Sequence, residues 1–352
     1  MGKVVLLTDT HIGARSDSLV FDNYFQKFFN DILFPTLKRE KIKTIFHLGD
    51  VFDRRKYINF NILNRFRNNF LHPLENMGVN MFVLSGNHDV FFRNTNDVNS
   101  IQEIMGGWDN ITVINEPKEM IFDGLKLLLL PWITNDNLEE TNKLISNTSA
   151  RVLFGHLQIH GFQMYGGINC EDGLDGSMFH QFDMVISGHF HHKSSNDNIH
   201  YLGAPYEMTF ADMNDPRGFH ILDTKTLSME FIENPYRMFH RVVYDDRGKT
   251  IDEILNSIEP TKYSETYIKV IVNYKSNPFF FDKFIDMLYG VSPAEIKIIE
   301  DFNVDVDSGE TSTEDTLSIL FEYVDSMELV MDKTKLKEIL RGIYLEATNE
   351  QE

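Results

Sequence analysis

Residues 80–89 read NMFVLSGNHD. An apolar run ends at Ser85-Gly86, and an amide, an imidazole and a carboxylate follow without a spacer. The run has the length and aromatic or β-branched content of a buried strand, so the polar triplet falls at its C-terminal end. The same grammar recurs in KVVLLTDTH (3–11), TIFHLGD (44–50), LKLLLLPW (125–132), RVLFGH (151–156) and FDMVISGHFHH (182–192). Helix-compatible stretches, 19–40 and 59–77, separate the first three of these strands. Strands alternating with helices predict an α/β domain whose sheets are covered by helices. Such folds place ligand sites at the C-terminal ends of strands. GFHILDT (218–224) and LSMEFIEN (227–234) form a strand–turn–strand pattern that closes this domain near residue 235.

A chain of 352 residues has room for one large domain and one or two small ones. Its 42% hydrophobic and 24% charged content is ordinary for a globular protein. No apolar run is long enough to span a bilayer. MGKVVLLTDTHIG lacks signal-peptide architecture, and Leu6 breaks the myristoylation pattern that Met1-Gly2 would open. Cys170 is the only cysteine, which suits a reducing compartment. These features predict a cytoplasmic protein with no membrane partner. The net charge of −20 argues against nucleic acid as a partner. The distribution softens that argument, because residues 300–352 hold 15 acidic and 4 basic residues, over half the excess.

Residues 236–300 read as a separate small α/β unit: HRVVYD, a helix at IDEILNSI, the strand YIKVIVNY, a helix at FFFDKFIDML, then EIKIIE. Residues 301–316 are acidic and poor in large apolar side chains, as a linker is. In 317–352 helical spacing returns, with stripes at Leu317, Leu320, Phe321 and Val324 and at Leu336, Ile339, Leu340 and Ile343. Two short helices cannot bury those stripes alone, so they need a partner or must dock on the body.

The polar clusters contain Asp9 and His11; Asp50 and Asp53; Asn87, His88 and Asp89; His156; and His189 and His191. Carboxylates, imidazoles and one amide suit Mn²⁺, Fe²⁺ or Zn²⁺ better than Mg²⁺ or Ca²⁺, which favour oxygen alone. A carboxylate between two groups of ligands can bridge ions about 3.5–4 Å apart, the spacing of two-metal hydrolysis. Each cluster alone is weak, since Gly-Asp is a common turn and Asn-His-Asp can be a cap. Their joint placement at successive strand exits singles them out. The other eight histidines, His47 among them, read as surface or satisfied core residues.

The order D-x-H, G-D-x-x-D, G-N-H-D, G-H, G-H-x-H over residues 9–191 resembles the signature of the calcineurin-like metallophosphoesterases. YLGAPYEMTF (201–210), NDPRGFHILD (214–223), the small following domain and the helical tail are similar to the SbcD-type double-strand-break-repair nuclease family, most of all its phage-encoded recombination endonuclease branch. The resemblance implies a four-layer α-β-β-α sandwich over 1–235 with an α/β DNA-binding cap over 236–300 and C-terminal helices. It implies two divalent ions, most of all Mn²⁺. Asp9, His11, Asp50 and His191 would hold one ion; Asp50 would bridge to a second held by Asn87, His156 and His189. His88 would contact the scissile phosphate and protonate the leaving oxygen, with Asp89 as support. Asp53 would orient the catalytic His88, and Arg54 either grips phosphate or serves the surface.

The implied reaction is hydrolysis of DNA phosphodiesters, as a 3′-to-5′ double-strand exonuclease and single-strand endonuclease. The implied partner is an SbcC-type coiled-coil, SMC-like ATPase bound by residues 317–347. A homodimer is also implied, through residues 59–71 and 97–105. There Ile62, Phe66 and Phe70 form one apolar face that either meets a second copy or packs on its own sheet. The rival readings are a phosphatase of phosphoproteins or small phosphoesters, whose usual GDxVDRG and GNHE differ from GDVFDRR and GNHD here, and a catalytically inactive scaffold.

Overall fold

A computed structural model describes residues 2–165 and 168–300. The predicted linker 301–316 and tail helices 317–352 lie outside the described residues. Two six-stranded sheets form the body. The first runs, edge to edge, Met229–Glu233, Gly218–Asp223, Lys3–Leu7, Thr44–His47, Asn80–Leu84 and Ile111–Ile114. The second runs Ser194–Asn196, Ile199–Tyr201, Met184–Gly188, Val152–His156, Leu125–Leu130 and Lys118–Phe122. In each sheet the central strands pair in parallel and antiparallel strands close an edge.

The apolar runs are continuous because both faces of each strand are buried. Val4 and Leu6 meet Leu127, Leu129, Phe154 and Ile186 between the sheets, whereas Val5 and Leu7 turn outward onto a helical layer. Leu128, Leu130 and Leu153 do the same on the far side, against Ile145 and Phe179. The result is the expected α-β-β-α sandwich.

Both predicted long helices form, and both carry a proline well inside them. A mid-helix proline removes one hydrogen bond and pushes its ring against the preceding turn. The chain absorbs this with a π turn in each case. Leu19–Phe28 continues through Phe29–Leu33 into Phe34–Glu40, with Pro35 in the first turn of the last segment. Phe60–Phe66 continues through Arg67–Leu71 into His72–Asn76, with Pro73 placed likewise.

Ile62, Phe66 and Phe70 are buried in the core of the body, where Phe66 stacks on Phe70 and meets Phe52 edge-on. Of the two readings open to this face, it packs on its own body and presents nothing to a second copy. The neighbouring helix Ser100–Met105 also buries its apolar residues, Ile101 and Met105.

A third sheet, all parallel, orders Phe239–Asp245, Tyr267–Tyr274 and Glu295–Ile299. Helices Ile251–Leu255 and Pro278–Tyr289 cover it, around a core of Val242, Tyr244, Val270 and Phe284. Its first strand is tied to the body by Glu207, whose carboxylate accepts the amides of Met238 (2.7 Å) and Phe239 (3.0 Å). No helix among the described residues is long and apolar enough to cross a membrane.

The aromatic packing sets an expectation. Phe66→Ala should lower unfolding free energy by about 3–5 kcal/mol in denaturant titrations. Phe60→Ser, at a position 85% exposed, should change it by less than about 0.5 kcal/mol.

Candidate metal centre

Each candidate ligand leaves a strand of one of the two sheets, and the sharpness of those exits shows in the backbone. Asp9, His11, Asp50 and His189 all have positive φ, at 50°, 41°, 52° and 90°. Left-handed backbone is uncommon for residues other than glycine and gathers where function demands a shape. The motif glycines permit the convergence. A Cβ at Gly86 would collide with the Asp50 carboxylate, and Gly49, at φ 98°, has no room for one against the His156 ring.

Two groups result. Asp9, His11 and His191 place one ligand atom each within 4.8 Å of one another, and so do Asp50, His156 and His189. Asp50 Oδ2 lies between them, 3.8 Å from His11 Nε2 and 3.3 Å from His156 Nε2. Asn87 Oδ1 belongs with the second group, 3.1 Å from His156 Nε2 and 2.9 Å from His189 Nδ1. In the first group the Nε2 atoms of His11 and His191 face each other at 3.1 Å.

Partners behind the ligands fix their orientation, as buried metal sites require. His156 Nδ1 donates to the Leu48 carbonyl at 2.6 Å, which turns Nε2 to the centre. Asp9 accepts from the Thr8 hydroxyl at 2.6 Å and from the His189 amide at 3.1 Å. Asp89 is not among the groups of ligands. Its carboxylate accepts the amides of Gly86 (2.9 Å), Val51 (3.0 Å) and Phe52 (3.1 Å), stapling two motif loops together. Burial, with the Asp50 charge next, pushes Asp89 up to about 7.

The electrostatics fit cations. Burial opposes ionisation of Asp50, yet His156 and His88 hold its carboxyl well below the usual carboxylate range. Burial likewise opposes charge on His11 and His156, but carboxylates raise both to about 9, Asp53 foremost for His11 and Asp50 for His156. Burial and the charge on His156 push His189 down to about 3, and burial and His11 hold His191 well below its usual value. Each group thus pairs one imidazole that carboxylates raise with one that burial holds low. The nitrogen–oxygen donor set suits one divalent ion per group.

His88 stands apart from both groups. Its amide donates to Asp50 Oδ1 at 2.8 Å, and its Nδ1 pairs with the Asp53 backbone carbonyl at 2.8 Å, so the ring is held through Nδ1. The Asp53 carboxylate turns instead to His11 Nδ1, 3.4 Å away. Arg54 donates to Asp17 at 3.0 Å and lies over the Tyr57 ring, so it is engaged on the protein itself.

Several neighbours carry no motif signal. Arg217, 2% exposed, pairs with Asp212 (2.7 Å) and Asp215 (2.8 Å) and donates to the His191 carbonyl. Tyr206 donates to the carbonyl of Thr10, between two ligands. Trp132 packs against His189, ring centroids 5.1 Å apart. Arg217 and Tyr206 lie in the stretches that mark the family resemblance, but nothing in their spacing tells what they hold. His47 is a core residue, as expected: it is buried, its Nε2 is 3.0 Å from the Thr10 hydroxyl, and burial and His156 push it down to about 3.

The chain belongs to the calcineurin-like phosphoesterase family, whose profile matches residues 2–193. It is also similar, at 28% identity over 98% of this chain and 99% of the relative, to exonuclease subunit 1 of Enterobacteria phage T4. It is 24% identical to the SbcD component of the nuclease SbcCD of Staphylococcus saprophyticus, over 78% of this chain and 79% of that one. The corresponding component of Staphylococcus epidermidis SbcCD is 24% identical, over 63% and 66%.

Asp50→Ala removes the carboxylate that lies between the two groups. Elemental analysis of Asp50→Ala should find nearly all divalent metal lost, whereas His191→Ala should retain the ion of the second group. Arg217→Met leaves two carboxylates without their cation and should cost about 3–5 kcal/mol of stability in denaturant unfolding.

Proposed function

We propose that this protein is the nuclease subunit of a DNA recombination or repair complex, hydrolysing DNA phosphodiesters at two divalent ions, with Mn²⁺ preferred. The observation that carries the reading is the Asp50 carboxylate lying between two ligand groups, with His88 held beside them and outside both. The near full-length similarity to a phage exonuclease subunit supports DNA as the substrate.

Asp9, His11 and His191 would hold one ion, Asn87, His156 and His189 the other, and Asp50 both. When bound, the pair supplies charge neutralisation at the phosphoryl oxygens and activation of the nucleophile. The chain supplies the proton. With its Nδ1 hydrogen donated to the Asp53 carbonyl, His88 would offer a hydrogen on Nε2 to the leaving oxygen. Asp53 thus positions His88 through its main chain and His11 through its carboxylate. Arg54 could grip phosphate only by exchanging Asp17 for it.

The proposed activities are 3′-to-5′ exonuclease on duplex DNA and endonuclease on single strands. Residues 236–300 are the proposed DNA-contacting cap, and residues 317–347 the segment that binds an SbcC-type ATPase. A homodimer would have to use side chains other than Ile62, Phe66 and Phe70; Phe60 and Tyr57, 85% and 58% exposed, lie beside them. The net charge is −20, and Arg54 and Arg237 already face Asp17 and Glu233. The isolated chain is therefore expected to bind DNA weakly, with affinity and processivity supplied by the ATPase.

Manganese should support nucleotide release from duplex DNA and magnesium only poorly, while a phosphopeptide should not be turned over. Turnover of the phosphopeptide with none of DNA would favour the phosphatase reading. His88→Ala should lose about 10²-fold or more in rate with metal content unchanged. Replacing Leu320, Phe321, Leu336 and Leu340 with charged residues should abolish co-purification with the ATPase and spare the manganese-dependent activity of the free chain.

A further inference from the structure

A cavity of about 270 Å³ opens beside the second ligand group, and His156 is part of its wall. Trp132, Thr134, Leu138, Gln158 and Leu174 also line it. Among the described residues that line it none is lysine, arginine, aspartate or glutamate, so it is not built for a phosphate.

Trp132 is held firmly. Its amide donates to the Ser85 carbonyl at 2.7 Å, and its carbonyl accepts from Asn96 (2.8 Å) and Asn137 (3.1 Å). Its ring rests on His189 and meets His156 edge-on, centroids 6.0 Å apart, so it is fixed relative to the ligands. Around it the wall is leucine with a few polar groups left over. The Thr134 hydroxyl, without a hydrogen-bond partner among the described residues, lies beneath this wall and is closed to solvent. Gln158 spends its amide hydrogens on Cys170 and the Asp172 carbonyl, which leaves its oxygen as an acceptor. A fixed indole, apolar walls and a few polar groups suit a flat, aromatic, polar-edged guest. The volume falls just below the usual range for ligand sites, about 300–1,000 Å³, which suits one base rather than a stack.

We propose that this cavity receives the base of the nucleotide whose phosphate lies at the ligand groups, stacked on Trp132 with its edge toward Gln158. The inference rests on the nuclease reading above. It makes Trp132 a substrate-binding residue and makes a terminal abasic nucleotide a poor substrate.

The test compares two p-nitrophenyl phosphodiesters with manganese-loaded protein. One carries thymidine on its 5′ oxygen, and the other carries the same sugar with hydrogen in place of thymine. Stacking of one base predicts kcat/KM about ten-fold higher for the thymidine ester. In Trp132→Ala, and in Leu138→Trp, which fills the cavity from an exposed helix position, the ratio should fall to about one. Equal kcat/KM for the two esters in the unaltered protein, or an undiminished ratio in Trp132→Ala, overturns the proposal and leaves the nuclease reading standing. Failure to cleave either ester overturns the nuclease reading instead.

A second measurement needs no activity. The chain has two tryptophans, so Trp108→Phe leaves Trp132 as the sole indole, which can be excited selectively over the tyrosines. Thymidine 5′-monophosphate should quench it saturably in EDTA, and the base-free sugar phosphate should not. Absence of quenching overturns the proposal whatever the esters do.

Discussion

The Asp50 carboxylate is the constraint around which the molecule is arranged. A fully buried carboxylate is costly unless paired and hydrogen-bonded, and this one sits between two imidazole groups and accepts the His88 amide. To bring ligands from both sheets to one oxygen, the loops must approach main chain to main chain. Glycine at 49 and 86 allows the approach, and left-handed backbone at Asp9, His11, Asp50 and His189 aims the side chains. Such conformations each cost about 1–3 kcal/mol and persist only when the surroundings over-determine them. Asp89 supplies part of that excess, gripping three amides from two loops.

The segment between the second sheet and the last strands of the first supplies the rest. Tyr206 reaches the loop of Asp9 and His11, Arg217 the carbonyl of His191, and Glu207 the first strand of the third sheet. One stretch of chain therefore touches a ligand loop from each sheet and the small third sheet as well. A rigid second tier of this kind keeps ligand geometry from being left to side-chain rotamers. It also gives the third sheet a mechanical connection to the metal centre that runs through only a few residues.

Much of this is legible in the order of residues alone. Strand exits at Asp9, Asp50, Asn87, His156 and His189 are readable because buried strands are short apolar runs and a polar cluster can only follow where the run stops. The long helices are readable too, although Pro35 and Pro73 argue for breaks. Local rules foresee the lost hydrogen bond, but they do not foresee the π turn that carries the helix past the proline. The direction of the Ile62–Phe66–Phe70 face is open in the sequence for a similar reason. An apolar stripe records that a surface is covered and is silent about what covers it.

What the sequence by itself determined is the inventory: which strands, in which order, ending in which ligating side chains, and hence the family of chemistry. Those features depend on near neighbours in the chain, through strand periodicity and the length of apolar runs. Only the tertiary structure decided which atoms meet. That Asp53 holds His88 by its carbonyl and His11 by its carboxylate, that Arg54 is taken by Asp17, and that Trp132 walls a cavity against His156 are contacts between segments up to tens of residues apart. Arg217 and His191, 26 residues apart, are joined through a main-chain carbonyl, a group every residue has. A partner that any residue could offer leaves no mark in the sequence, and packing alone selects it.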